Sequence, residues 1–113
     1  MAKTIYRYTN SWGTANAFLV HSKYVMNDGL AVEIITDTFG DLEPYGEVTV
    51  NFGFASERYA YVDTNNLPNI TEFLEENGLA KPTGLEYHSG YCVYPMYEFT
   101  DKFFAESDAY EEE

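Results

Sequence analysis

Tyr24-Val25-Met26-Asn27-Asp28-Gly29-Leu30-Ala31-Val32-Glu33-Ile34-Ile35 reads as a β-hairpin. Two apolar, strand-forming runs flank Asp-Gly, the strongest short hairpin signal, because glycine tolerates the positive φ of a tight primed turn. Upstream, Phe18-Leu19-Val20-His21 extends the first strand, and Lys3–Tyr8 reads as another. Downstream, Thr36–Gly46 reads as a polar loop holding Gly40, Asp41 and Pro44. Glu47-Val48-Thr49-Val50-Asn51-Phe52 alternates strictly, which sets Val48, Val50 and Phe52 on one face of a half-buried strand. A Gly53–Glu57 turn leads into the strand Arg58–Val62.

The helical signal falls at Pro68–Asn77. Pro68 suits a first helical position, where the missing N–H costs nothing. Asn66 reads as the cap, with Asn69 and Glu72 as an alternative capping box. Ile70, Phe73 and Leu74 recur at helical spacing and form one apolar stripe. Asn77-Gly78-Leu79 has the pattern of a Schellman ending, with Gly78 left-handed and Leu79 folded back onto the last turn. After a Pro82-Thr83-Gly84 turn, Tyr91–Phe99 reads as a strand, and Pro95 in its middle assigns it to a sheet edge. Phe103 and Phe104 belong to a short terminal helix. The expected fold is α+β over residues 1–107: one antiparallel sheet of five or six strands, one main helix packed on one face and a short C-terminal helix. Residues 108–113 are expected to form a frayed acidic tail. No internal repeat or linker is visible.

Of the 113 residues, 45% are apolar and 18% aromatic, with 11 Tyr and 8 Phe, far too many aromatics for a disordered acidic chain. The length suits one domain. A formal charge of −13 argues against direct binding to DNA, RNA or anionic lipid, whose phosphates reward Lys and Arg. Met1–Arg7 lacks the apolar run of a signal peptide and no segment has the length of a membrane span, so the expected compartment is the cytoplasm. Cys92 is the single cysteine, which leaves no partner for an internal disulfide.

Catalytic patterns such as G-x-S-x-G, G-x-G-x-x-G, Walker A and H-E-x-x-H are absent. Cys92 could act as a nucleophile with His88 or His21 as its base. A buried small hydrophobe, with His88 in a turn, accounts for Cys92 more simply. Asp37, Asp41 and Glu43 in one loop, and Asp63, Asn65 and Asn66 in another, could offer oxygens to Ca²⁺, but neither has the spacing of a calcium loop. Two histidines without nearby cysteines do not make a zinc site. The loop acids are read as solvated, and 63–66 as turn and cap hydrogen bonds. The expectation is no catalytic residue, no metal and no cofactor.

The charge distribution is more informative. Between Tyr24 and Ala80, 11 acids face one base, Arg58, and from Asp101 onward six acids face Lys102. The plain reading is a surface that keeps the protein dispersed. The sharper reading is mimicry of nucleic acid, with carboxylates on a rigid scaffold entering a basic channel. The expected partner-binding residues are Asp28, Glu33, Asp37, Asp41, Glu43 and Glu47, together with Glu72, Glu75 and Glu76 on the helix. Phe18, Phe52, Phe73 and Phe99 are assigned to the core. Eleven tyrosines exceed what the domain can bury with every hydroxyl satisfied, so some are expected at a contact surface.

The order Val62-Asp63-Thr64-Asn65-Asn66, Glu72-Phe73-Leu74-x-x-Asn77-Gly78-Leu79-Ala80-x-Pro82-Thr83-Gly84 and Ser89-Gly90-Tyr91-Cys92-x-Tyr94-Pro95-x-Tyr97-x-Phe99 resembles an uncharacterised bacterial family, domain of unknown function 4313. The resemblance spans about Tyr45 to Phe99 and brings no catalytic residues. It implies cargo of plasmids, conjugative elements and phages. The function expected from it is stoichiometric inhibition of a host defence nuclease, a CRISPR effector or restriction enzyme, through its basic nucleic-acid-binding surface. The alternatives are a non-catalytic accessory protein of a mobile element and, third, a small enzyme built on Cys92 and His88.

Overall fold

The computed structural model describes residues 4–10, 13–24, 29–38, 41–52, 56–67 and 69–109. Its elements are β1 (Tyr6–Asn10), β2 (Gly13–Lys23), β3 (Leu30–Thr38), β4 (Asp41–Glu47), β5 (Thr49–Val50), β6 (Tyr59–Val62), α1 (Ile70–Glu76), β7 (Ala80–Ser89), β8 (Cys92–Phe99), α2 (Asp101–Glu106) and β9 (Asp108–Ala109). The strands form two sheets rather than the single sheet expected. One has the order β1-β2-β3-β4 with β9 against β2, and the other has the order β5-β6-β8-β7. Every pairing is antiparallel except β2 with β9.

Val48 is where one sheet becomes two. Its N–H donates to the Val32 carbonyl in the first sheet, and its own carbonyl accepts from Asp63 N–H in the second, each at about 2.8 Å. The bend at this fully buried valine interrupts the alternation expected over 47–52, leaving Glu47 at the end of β4 and Thr49 and Val50 as β5. The described residues of the polar loop expected at Thr36–Gly46 are strand instead: 36–38 end β3 and 41–46 belong to β4. These polar residues stay extended because the ladder to β3 satisfies their backbone groups.

The hairpin at 24–30 is present: Lys23 pairs with Leu30, and Tyr24 N–H donates to the Gly29 carbonyl at 2.8 Å, one step further along the same ladder, while the connection, residues 25–28, lies outside the described residues. Asn27 and Asp28 lie outside the described residues, as do Lys3, the centre of the Gly53–Glu57 turn, Pro68 and residues 110–113.

Strand β8 is interior, not an edge. It pairs with β7 along its length and with β6 from Glu98 to Met96. Pro95 lies one residue past the last β6 rung, so the missing N–H costs no bond on that side. The edge is β7, a strand missed because Pro82, Thr83 and Gly84 resemble a turn. They form a bulge between the Pro82–Tyr97 and Glu86–Pro95 rungs, where Thr83 Oγ1 donates to the Met96 carbonyl (3.1 Å). Gly90 and Tyr91 close the β7–β8 hairpin, with Gly90 at φ 60° as a two-residue turn requires at its first position.

Helix α1 buries Ile70, Phe73 and Leu74 as its stripe predicts. Its ending is a Schellman motif: Leu79 N–H donates to Leu74 O (2.8 Å), Gly78 N–H to Glu75 O (3.1 Å), and Gly78 has φ 68°. At its start the cap position is Asn69, the alternative of the two expected, and Asn66 is instead held by Asp63 in a turn. No capping box forms, since the Asn69 side chain donates to the Thr9 carbonyl and Glu72 accepts from Thr71. Helix α2 contains Phe103 and Phe104 as expected and is capped by the Thr100 hydroxyl. Asp108 and Ala109, assigned to the tail, pair with Val20 and His21 of β2. The core lies between the inner faces of the two sheets, where Tyr8, Leu19 and Ile34 meet Val62, Phe99, Leu74 and Phe103.

Candidate functional site

Strand parity distributes the predicted acids over the molecule. Ile34 and Val32 point inward, so Glu33 and Asp37 of β3 point outward, and Glu47 joins them because it pairs with Glu33. Two carboxylates directly opposite each other repel, and with Glu47 exposed and Glu33 half-buried water reaches the pair and screens it. Asp41 and Glu43, paired with Thr38 and Thr36, share the opposite parity at the far end of the sheet. Phe73 of α1 packs edge-on against Tyr6 (5.7 Å) and Tyr8 (5.4 Å) from β1, on the inner side. Glu72, Glu75 and Glu76 therefore lie across the sheet from Glu33, Asp37 and Glu47. The residues named from the sequence do not converge on one surface, and Asp28 is outside the described residues.

The helix acids are also partly occupied. Tyr97, itself buried, donates its hydroxyl to Glu75 Oε2 at 2.5 Å. Burial first and this bond second push the Tyr97 phenol up to about 12. Glu72 and Glu76 line a shallow cleft of about 240 Å³ with Phe73, Asn69, Thr9 and Arg7, so a cation distant in sequence sits among them. Each described cation is engaged within the fold. Arg58 donates to Asp101 (2.7 Å) and the Phe99 carbonyl (2.9 Å) and lies over the Phe104 ring. Lys102 donates to the Asn77 carbonyl (2.5 Å) and Glu106 (3.3 Å). Lys23 and Lys81 lie 3.9 Å from Glu57 and Glu98, and Arg7 bonds Asn16.

The feature that sequence reading missed is on the second sheet. Beyond Ala80, every residue of β7 is exposed, so both faces of the outer hairpin meet solvent. Tyr61 pairs with Met96, and Tyr94 with Tyr87, which sets these side chains on one face, opposite to buried Val62, Tyr97 and Phe99. Phe52 lies on the same face, stacked on Tyr87 (4.1 Å, 20° between planes) and against Tyr94 (5.0 Å) and Tyr61 (5.7 Å). Tyr87 remains 40% exposed, Tyr59 on the same sheet 38%, and Tyr91 at the tip is fully exposed. Asp63 is near enough that its charge helps raise the Tyr94 phenol, after burial and a bond with Cys92. The i, i+2 spacing of Tyr59 and Tyr61 is visible in the sequence; the meeting of Tyr61 with Phe52 and Tyr87 depends on the unseen β7.

Cys92 is half-buried rather than enclosed, and His88 is in β7 rather than a turn. Cys92 pairs with Ser89 and His88 with Val93, so the two side chains emerge on opposite faces. His88 faces Glu86 at 3.3 Å, and His21 belongs to the other sheet, bonded to Ser107 and packed on Phe103 and Phe104. The register thus separates the pair a cysteine nucleophile would need. Among the described residues, no three His, Cys, Asp or Glu side chains converge as a metal site, and no helix is long and apolar enough to cross a membrane.

The fold and its surfaces define a small acidic domain of mixed α and β structure, two mostly antiparallel sheets with an aromatic hairpin at one end. The chain belongs to the family described as Domain of unknown function (DUF4313), whose profile matches residues 18–111, a longer span than the Tyr45–Phe99 resemblance. No curated protein and no solved structure matches it.

Proposed function

We propose that this is a non-catalytic binding protein that occludes, mole for mole, the basic surface of a nucleic-acid-handling protein. One observation carries the reading. With 19 acids against 6 bases, at least 13 carboxylates have no cation of their own, and the described cations are already held by the fold. A field of that sign favours basic surfaces and speeds encounter with them. The narrower form of the proposal is an inhibitor of a CRISPR effector or restriction nuclease, carried by a bacterial mobile element and acting in the host cytoplasm. It adds the family resemblance and the precedent that small acidic proteins of such elements antagonise defence, a support by association.

The test is titration of the protein against such a nuclease, reading DNA cleavage at rising salt. Inhibition should saturate near equimolar protein and weaken steeply with salt. Because the acids occupy opposite sides of the first sheet, two charge reversals separate the faces. Glu33, Asp37 and Glu47→Lys alter one, and Glu72 and Glu76→Lys the other; Glu75 is spared because Tyr97 depends on it. One reversal should cut affinity about tenfold or more and the other little. Salt-insensitive inhibition that survives both reversals would overturn the proposal.

A further inference from the structure

The outer face of the second sheet sets partly exposed aromatic rings beside carboxylates on a chain of charge −13. Phe52, Tyr61, Tyr87 and Tyr94 make a continuous ring surface, with 4.1 Å stacking between Phe52 and Tyr87 at its centre. Tyr87 sits on an edge strand whose residues beyond Ala80 are all exposed, and its own ring keeps 40% of its surface open to a ligand. Asp63 is near enough to Tyr94 for its charge to act on that phenol, and Glu98, directly opposite Tyr59 on the same face, is 3.9 Å from Lys81. Elsewhere the chain lays its own cations over rings, Arg58 on Phe104 (5.4 Å) and Lys102 on Tyr6 (5.7 Å).

We propose that the Phe52–Tyr61–Tyr87–Tyr94 face is a docking site for an arginine-bearing segment of a basic protein partner. The inference rests on the binding function proposed above and names its contact surface. A guanidinium is flat, weakly hydrated and able to stack on an aromatic face while its N–H groups reach a carboxylate; an ammonium is compact and strongly hydrated, so it does this less well. Single-stranded nucleic acid also stacks on tyrosines, but it needs a basic groove along its phosphates, and a chain of charge −13 opposes it. An aliphatic segment would use the apolar area and ignore the acids. Arginine uses both, which is the complementarity that decides between these occupants.

Binding of nona-arginine and nona-lysine peptides, equal in charge, tests this by calorimetry. Arginine peptide should bind more tightly, by about two- to fivefold for each ring engaged. Tyr87→Leu and Tyr94→Leu should erase that preference while leaving lysine-peptide binding unchanged and a single cooperative thermal transition in place. Should a variant fail to fold, the ring proton signals of the native protein replace it: arginine peptide should shift Tyr87 and Tyr94 and leave buried Tyr8 in place. Equal affinity for the two peptides, or a preference that survives both substitutions, overturns the docking site while leaving the electrostatic function standing. Binding of neither peptide at low salt overturns both. Tighter binding of a thymidine oligonucleotide than of the arginine peptide overturns the choice of occupant.

Discussion

Tyr8 and Tyr97 show how single side chains tie this fold to pH. Both are buried, and burial is the main reason each phenol is pushed up to about 12, assisted at Tyr97 by the hydroxyl donated to Glu75. The folded state prefers the protonated phenol, so its contribution is intact below the ordinary tyrosine value near 10 and is lost as pH rises from there toward about 12. Alkaline unfolding followed by circular dichroism should fall in that window, and Tyr97→Phe should move it upward; a fold unchanged at pH 12 would contradict the assignment. At acidic pH the relevant group is Glu106, lowered chiefly by the Tyr6 hydroxyl, whose contribution disappears as pH falls through its depressed value. Gly78 is required for its left-handed backbone, φ 68°, and Gly78→Ala should destabilise by about 1 kcal/mol, read from urea midpoints.

At the level of elements, Thr100 joins two ends. Its hydroxyl accepts from Phe103 N–H to cap α2 and donates to the Gly78 carbonyl (2.7 Å) just past α1. Thr100→Ala should cost about 1–2 kcal/mol in chemical denaturation, more than a cap alone, while Thr100→Ser recovers most of it. The β7–β8 hairpin is the contrasting case. Its outer half buries little, so Leu85→Ser should shift stability by less than about 0.5 kcal/mol, whereas Tyr87→Leu should cost about 0.5–1.5 kcal/mol through the lost stack on Phe52. Phe99→Ala at the hairpin's buried base should cost about 3–5 kcal/mol. A hairpin anchored at one end and bare at the other can spend its exposed residues on contact.

Taken whole, the molecule carries a charge of −13 that repels itself. Raising salt toward about 1 M, where the Debye length is about 3 Å, should therefore raise the melting temperature by several degrees. The same salt should weaken association with a basic partner. Opposite responses of stability and binding to one variable would separate self-repulsion from recognition; a melting temperature that falls with salt would show that the surface charges are locally balanced.

Local signals decided much at the scale of single elements. The stripe Ile70, Phe73 and Leu74, the Asn77-Gly78-Leu79 ending, the hairpin flanking residues 24–30 and the helix at Phe103–Phe104 were all legible, because helical period, left-handed glycine and strand alternation act between residues close in the chain. Three further features belong to tertiary structure. The division into two sheets depends on Val48 bonding both Val32 and Asp63, neither of them a near neighbour. The status of β4 and β7 as strands depends on partners that satisfy the backbone of polar, proline-containing segments. The surfaces follow from those pairings: the same 11-acid stretch is divided between opposite faces by strand parity, and Phe52, Tyr61, Tyr87 and Tyr94 meet only through the register of β6, β7 and β8. Composition determined that the surface would be negative and rich in tyrosine, since too few cations and too little interior exist to hide either. Only the pairing of distant strands decided where they would lie, because register is set by contacts that have no counterpart in the local sequence.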